Sequence, residues 1–334
     1  MIRTSVYQKG VLLASDCDPA LISDYLALPG HVVWLDVVKP SHAELALFQD
    51  EFGLHPLAIE DAVHSHQRPK VDRYRSHLFA AVYATWLKPA PDAGSDAETR
   101  RNIELVTGEV DVFVGRQYLI TVRKDPAWDI DPVLVRWERG EALLEHGVSF
   151  MLHALLDQVV DEYGVVTDEL DDELDRVEEQ LLKQTNSHDL QEDLLDLRRA
   201  VVRLRKVVLP LREMFSALTE GQILDVSEEM HPYFGDVKDH VLRVAADLEA
   251  LQDLLLNAIQ LNMSIASNRL NIIMKQLTGW AAIIGVNTVI VGVYGMNFRL
   301  WPDNNSTYGF LIANLIMLAS SVFLYVYFRR KDWL

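Results

Sequence analysis

Three patterns of apolar and polar positions follow one another along the chain. Through residues 1–145 the apolar residues come in short β-rich runs, and Val32–Val38, Leu78–Trp86, Val110–Val114 and Tyr118–Val122 predict strands. Ser41–Phe52 and Pro56–Val63 read as helices, the first with Ser41 and Glu44 at the spacing of a capping box. Lys88–Thr99 has the composition of a loop. From about Val148 the period turns helical. A helix carrying the acidic run Asp168–Glu179 precedes one carrying Arg198, Arg199, Arg203, Arg205, Lys206 and Arg212, so antiparallel pairing would match opposite charges. Carboxylates left over from such pairing would attract cations.

The third pattern is a long one. No proline occurs from Asp236 to Tyr294, and glycine enters only at Gly279, Gly285 and Gly292. A continuous helix there would be roughly 90 Å long. Val241, Leu248, Leu251, Leu255, Ala258, Ile259 and Ile265 run along it at near-heptad spacing. Such a helix is expected to bundle with copies of itself rather than bury itself in its own domain. Its last part, Leu277–Tyr294, and a second segment, Gly309–Phe328, contain no charged residue. Each matches the roughly 20 residues a helix needs to cross the hydrocarbon core.

Flanking charge orients these spans. Arg269 and Lys275 precede the first, Arg329, Arg330 and Lys331 follow the second, and the loop Gly295–Tyr308 holds one charge of each sign. By the positive-inside rule both termini are cytoplasmic and the loop faces outward. Met1–Gly10 is too short and mixed for a signal peptide. The expected fold is an α+β membrane protein. Its parts are a cytoplasmic α/β domain over 1–145, a helical stalk over 146–276 with its long helix from about 236, and spans over 277–294 and 309–328. An outer loop over 295–308 and a basic tail over 329–334 complete it.

Composition sharpens this division. The chain has 334 residues and a formal charge of −18. Residues 1–276 hold 27 basic and 47 acidic residues, whereas the spans with their loop are neutral and the tail carries a surplus of two positive charges. Acidity of this size argues against a nucleic-acid partner. The single cysteine, Cys17, excludes an internal disulfide and a Cys-rich metal site. Phosphate-loop, nucleophile-elbow and dinucleotide fingerprints are missing from the sequence, and no enzyme is expected.

Two spans cannot enclose a water-filled path alone, so the hairpin is either an anchor or one share of a pore built from several copies. Stepping by three or four residues from Asn271 gives Met274, Thr278, Ala281, Gly285, Thr288, Gly292 and Gly295, one helix face that is small or polar for most of its length. Trp280, Ile283, Ile284, Ile290 and Val291 lie opposite. A small face serves close helix packing or a pore lining. Asn287, in mid-membrane, is costly unless it faces protein or water.

Directly after the first span comes Tyr294-Gly295-Met296-Asn297-Phe298. Gly-Met-Asn in this place, with a long helix before it and a second span and a YFRRKDWL tail after it, resembles the CorA family of divalent-cation channels. His55-Pro56-Leu57 with Glu60-Asp61, the stretch His66–Val71, and Tyr233–Val237 with Asp239-His240 resemble the family as well. The resemblance implies a homopentamer in the cell (inner) membrane whose first spans line the pore. It implies transported and regulatory Mg²⁺, with Co²⁺ or Ni²⁺ as further cargo, and no organic cofactor. Tyr294, Gly295, Met296 and Asn297 would form the outer mouth, with Gly295 permitting the turn. Asn271 would form a polar ring at the inner end, Leu277 a hydrophobic constriction and Thr288 a pore-facing hydroxyl, with Ala281, Gly285 and Gly292 along the lining. Asp236 would be a ligand of a regulatory metal between subunits.

Departures from the family pattern are also present. Gly285 stands where methionine is usual, and Val286-Asn287 replaces a proline-containing pattern. Trp301-Pro302-Asp303 stands for Met-Pro-Glu, which keeps an outer acid at Asp303. Asp92, Asp96 and Glu98 are candidates for the carboxylate partnering Asp236. His64 and His66 form an H-x-H pair, a weak zinc signal without cysteines. Two further readings stand beside the Mg²⁺ channel: a Zn²⁺ transporter of the same superfamily, and a membrane-tethered sensor or scaffold that conducts nothing.

Overall fold

The computed structural model describes residues 2–18, 21–64, 68–89, 103–140, 143–183, 187–219, 228–296 and 307–334. The chain divides into two compact units, Met1–Leu256 and Asn257–Leu334.

The first unit is built on a seven-stranded sheet of order β2-β1-β3-β7-β6-β5-β4. The strands are β1 (Ile2–Gln8), β2 (Val11–Ser15), β3 (His31–Val38), β4 (Lys70–Arg73), β5 (Leu78–Pro89), β6 (Ile103–Val114) and β7 (Tyr118–Arg123). Only β3 and β7 pair in parallel; every other neighbouring pair is antiparallel. The four predicted strands form. The hairpin β1–β2 was not anticipated, since its alternation is short and interrupted by Lys9-Gly10. Strand β5 runs on to Pro89, into the stretch assigned to a loop, because Lys88 and Pro89 still pair with Glu104 and Ile103.

Short helices α1 (Ile22–Leu26), α2 (His42–Phe52) and α3 (Pro56–Val63) accompany the sheet. The capping box forms as predicted: Glu44 N–H donates to Ser41 Oγ at 3.3 Å and Ser41 N–H to Glu44 Oε2 at 2.7 Å. Gly53 ends α2 at φ 59°, a left-handed cap that glycine adopts without penalty. Leu45, Phe48, Phe52, Ala58, Ile59 and Ala62 of α2 and α3 share one core with Val33, Leu35, Phe113, Ile120 and Val122 of the sheet.

On the other face lie α4 (Asp131–Arg139) and α5 (Val148–Leu182). Trp34 and Trp137 meet edge to face at 5.0 Å, Trp137 donates to the Met151 carbonyl at 3.1 Å, and Tyr163 donates to that of Tyr83 at 2.5 Å. Buried Asp36 is held in a fork by Arg123, at 2.9 Å through Nε and 2.6 Å through Nη2, with Thr121 adding a bond at 2.9 Å. Bidentate, satisfied geometry of this kind is what makes a buried ion pair tolerable.

Long helices complete the chain: α5, α6 (Ser187–Thr219), α7 (His231–Tyr294) and α8 (Thr307–Arg330). Helices α5 and α6 pack together. The expected charge matching between them is only part of the picture. Arg176 pairs with Glu173 and Arg199 with Asp196 inside their own helices, while Arg203 donates to the Leu105 carbonyl and Arg205 reaches Gln252 of α7.

Helix α7 begins at His231, earlier than expected, and continues unbroken for 64 residues. Its first half corrects one expectation. Phe234, Val237, Val241, Leu248, Leu251 and Leu255 are all at most 3% exposed, so this stretch does bury itself in its own domain. The near-heptad stripe supplies an intramolecular core there. Further on, Ala258 is buried, Ile259 and Ile265 are half-buried, and Ile272, Ile273, Met274 and Leu277 are exposed.

Candidate ion-conducting site

In the second unit, the membrane-length end of α7 pairs with α8. Trp280 meets Tyr325 at 6.5 Å between ring centroids, and Asn287 Nδ2 donates to Ser321 Oγ at 2.7 Å. The contact position rises on α7 as it falls on α8, which makes the pair an antiparallel hairpin. Both helices are long and apolar enough to span a membrane, yet only 11% of each span's residues are buried. A soluble core helix would be mostly buried, so this exposed apolar surface matches a lipid or protein environment.

Besides Ala282, which is half-buried about 100° to one side, the buried or half-buried positions of the span are Gly279, Ile283, Asn287, Ile290 and Tyr294, and they define the face that α7 turns to α8. At 3.6 residues per turn these lie within about 40° of one direction. The small and polar stripe, from Met274 through Thr278, Ala281, Gly285 and Thr288 to Gly292, centres about 180° away. Every residue of it is exposed, and a side-chain carbon added at Gly285 or Gly292 would meet nothing within 4 Å. Close packing inside the hairpin therefore does not account for the small residues.

The polar groups of the span fall into two kinds. Asn287 donates through Nδ2 both to the Ile283 carbonyl, at 3.1 Å, and to Ser321, which satisfies its NH₂ group, while its buried Oδ1 has no partner among the described residues. Thr288, on the open stripe, bonds back to the Ile284 carbonyl at 2.9 Å and keeps its outer lone pairs available. Asn271, Leu277 and Ala281 are exposed, Leu277 at 62%. Tyr294, expected at the outer mouth, is half-buried on the α8 side.

At the outer end, Gly295 N–H donates to the Val291 carbonyl at 2.8 Å and Met296 N–H to that of Val293 at 3.2 Å. The φ of Gly295 is not positive, so the helix end does not draw on glycine's left-handed freedom. The tight point is instead the Val291 carbonyl, 3.1 Å from where a side-chain carbon would sit. Asn297 and Asp303 lie outside the described residues, as do His66, Asp92, Asp96 and Glu98.

A second cluster lies in the first unit. Asp236, near the start of α7, has a side chain 71% exposed. His240, one turn on, stands 3.9 Å from it and 3.6 Å from Asp161 of α5. Arg136 binds Asp157 and Asp161 together. The Asp157 carboxyl is raised above its ordinary range by burial first and by Asp161 second. Asp157, Asp161 and His240 could jointly hold a metal ion, with Arg136 as its competitor. Further along α5, Asp171 is raised by burial and by crowding from Asp175, Asp172 and Asp168, so acid there is not fully compensated.

Residues 29–330 match the family described as CorA-like Mg²⁺ transporter protein. The chain belongs to the CorA family. It is 32% identical over 305 residues to a cobalt/magnesium transport protein CorA of Thermotoga maritima, covering 90% of this chain and 83% of that one. A putative metal ion transporter of Bacillus subtilis is 31% identical over 300 residues, covering 90% and 89%. The solved CorA magnesium transporter of Methanocaldococcus jannaschii shares the fold at a TM-score of 0.75 and 20% identity, over 99% of this chain and 98% of that one. The resemblance read from the Gly-Met-Asn context is thus confirmed, as is the CorA fold of α/β domain, long helix and two C-terminal spans.

Sequence reasoning missed Asp157, Asp161 and Arg136. Their signal was faint: a carboxylate pair at i, i+4 on α5 ahead of the acidic run, with no sign of where α4 would place an arginine. For His64 the structure gives a local explanation, since its Nδ1 lies 2.8 Å from the Glu60 carbonyl at the end of α3.

Proposed function

We propose that this chain is one subunit of a homopentameric Mg²⁺ channel, with Co²⁺ and Ni²⁺ as further cargo, in the inner membrane with both termini cytoplasmic. One observation carries the reading: the small and polar face of α7 lies opposite α8 and has no partner among the described residues of the hairpin. Around a symmetry axis such faces line a path, and the apolar remainder of the hairpin meets lipid. The transport named for the relatives, magnesium and cobalt, agrees with it.

The chemistry suits Mg²⁺. The ion is small and gives up water reluctantly, so it is best selected through its hydration shell. A ring of Asn297 amide oxygens, helped by the Gly295 and Met296 carbonyls, accepts hydrogen bonds from those waters. Carboxylates at that point would hold the ion more tightly and slow its release. Asp303 in the outer loop would attract cations, and Tyr294 would fix the mouth from the α8 side. Below, Thr288 offers its hydroxyl, Gly292, Gly285 and Ala281 leave room for a hydrated ion, Leu277 is the constriction that closes by dewetting, and Asn271 is the inner polar ring. The membrane potential supplies about 4.6 kcal/mol per divalent ion at 100 mV, so no nucleotide hydrolysis is needed to drive entry.

Gating follows from the acidity of the cytoplasmic unit. Mg²⁺ bound at Asp236 between neighbouring subunits offsets their repulsion and favours the closed state, and its loss at low internal Mg²⁺ opens the pore. The exposure of Asp236 and its nearness to His240, which itself stands 3.6 Å from Asp161, support this role.

Liposome flux tests the proposal. Wild-type protein should admit Mg²⁺, and Asn297→Ala should lose most of that flux. Equal flux from the two proteins would exclude the proposed mouth, and a Zn²⁺ flux indifferent to excess Mg²⁺ would assign the cargo to zinc instead.

A further inference from the structure

Several of the less exposed cations of the first unit are covered by carboxylate. Arg123 has Asp36, Lys124 has Glu109 and Asp111, Lys70 has Asp61 and Asp72, and Arg136 has Asp157 and Asp161. One cleft gathers cations without carboxylate, three of them exposed. It has a volume of about 890 Å³ and lies among the start of β4, the middle of β5 and β6, α6 and α7. Four cations line it, Arg68, Arg203, Arg205 and Lys206, and no carboxylate does among the described residues. Two of the four have neutral acceptors: Arg203 donates to the Leu105 carbonyl at 2.8 Å and Arg205 to the Gln252 side chain. Each bond uses one of a guanidinium's five donors and none of its charge.

In a portion of chain carrying a net −20, a cleft lined by four cations, with Arg68, Arg203 and Lys206 exposed and Arg205 half-buried, is a local reversal of sign. Arg203 and Lys206 are one turn apart on α6, so their charges converge on one side of the cleft. The same lining has apolar surface, with Val202 and Leu209 a turn either side of Lys206 and Pro69 beside Arg68, and the largely buried Tyr83 contributes its ring. Converging cations beside an apolar, partly aromatic wall fit a ligand with an anionic end and a flat apolar end. The volume lies within the range of small-molecule sites, roughly 300–1,000 Å³.

We propose that this cleft binds a phosphate-bearing organic anion of the nucleoside polyphosphate class, in its metal-free form. The metal-free preference follows from charge. A bound Mg²⁺ removes two negative charges from the ligand and brings a cation toward four others, with no carboxylate in the lining to receive it. Metal-free nucleotide accumulates when Mg²⁺ falls, so the site reports Mg²⁺ scarcity through a second ligand. This regulatory consequence rests on the proposed channel function; the binding does not.

The test uses the full-length protein in detergent, with ATP in excess chelator, followed by calorimetry at low salt. Saturable binding is expected. Arg68→Glu/Lys206→Glu, two exposed positions, should weaken it about tenfold or more. Arg199→Glu, on the same helix but paired with Asp196, should leave it unchanged. Saturating the ATP with Mg²⁺ should weaken binding, and inorganic triphosphate should bind less tightly than ATP because it lacks the apolar end. The proposal is overturned if ATP does not bind, if the double variant binds as wild type does, or if Mg²⁺ strengthens binding. Displacement of ATP by anionic-lipid micelles but not by inorganic triphosphate would assign the cleft to a lipid headgroup and overturn the nucleotide. None of these readouts measures flux, so their failure leaves the channel reading standing.

Discussion

The two halves of α7 use similar residues for different ends. From His231 to Leu255 the helix lays Val241, Leu248, Leu251 and Leu255 into the core of its own unit, each at most 3% exposed. From Asn257 to Tyr294 it meets α8 along one narrow face and leaves its other apolar residues uncovered, Leu277 at 62%, Ile284 at 63% and Val291 at 57%. Spacing does not separate the halves; charge does. The first half carries Asp236, Lys238, Asp239, Arg243, Asp247 and Glu249 on its outer side, whereas nothing after Lys275 in this helix is charged. One half is therefore folded by water, and the other keeps an apolar surface suited to a membrane.

The largest effect should come from breaking the first half. Leu248→Ala, 1% exposed, should cost about 2–5 kcal/mol of the first unit's stability, read by thermal unfolding. The same truncation at Leu277 should leave that transition unmoved and instead raise Mg²⁺ leak at high internal Mg²⁺. If Leu277→Ala unfolds the protein as Leu248→Ala does, the contrast between the halves is wrong.

A smaller effect is expected where the second half touches α8. Asn287→Leu removes the bond to Ser321 and should destabilise the hairpin by roughly 0.6–1.7 kcal/mol. In a double-mutant cycle with Ser321→Ala the two losses should be less than additive, and strict additivity would show that the bond contributes nothing.

Buried charge in the sheet sharpens the comparison from the other side. Asp111 is fully buried beside Lys124, and burial pushes its carboxyl up to about 8 from an ordinary 3.8, Lys124 offsetting only part. The folded state thus holds this proton more tightly than the unfolded chain does. The associated stability is complete below the unfolded value and is lost as pH rises toward 8. Asp111→Asn should flatten the fall in stability between pH 4 and 8, and an unchanged slope would remove Asp111 as its source.

The smallest effect on the fold should come from Asp236→Lys. Its side chain is 71% exposed, so stability without Mg²⁺ should hardly change. Protection from proteolysis conferred by Mg²⁺ should weaken, and full protection would remove Asp236 from the regulatory role.

Much of this was legible in the sequence because each feature had a local cause. The capping box at Ser41, the strand runs, the uncharged spans and the small stripe of α7 depend on residues close together in the chain. What was not legible depends on distant packing. The stripe of Val241 to Leu255 looked like a seam between copies, since near-heptad spacing serves a domain core equally well. The strand hairpin at the N-terminus is defined by pairing rather than by its weak alternation. Arg136 reaches Asp157 and Asp161 only because α4 crosses α5, and Tyr294 turned to the α8 side because helix rotation is set by the partner. The resemblance pointed to Gly295, Met296 and Asn297, and it could not say that Gly295 closes the helix without a positive φ.

The central claim is that the face of α7 opposite α8 borders water. It is tested most directly by cysteine scanning in liposomes, with Cys17 replaced by serine. Ala281→Cys, Gly285→Cys and Thr288→Cys should react with a charged, membrane-impermeant thiol reagent and lose Mg²⁺ flux on reaction, while Ile284→Cys and Val291→Cys should stay inert. Reaction at Ile284 and Val291 with inert stripe positions would contradict the claim.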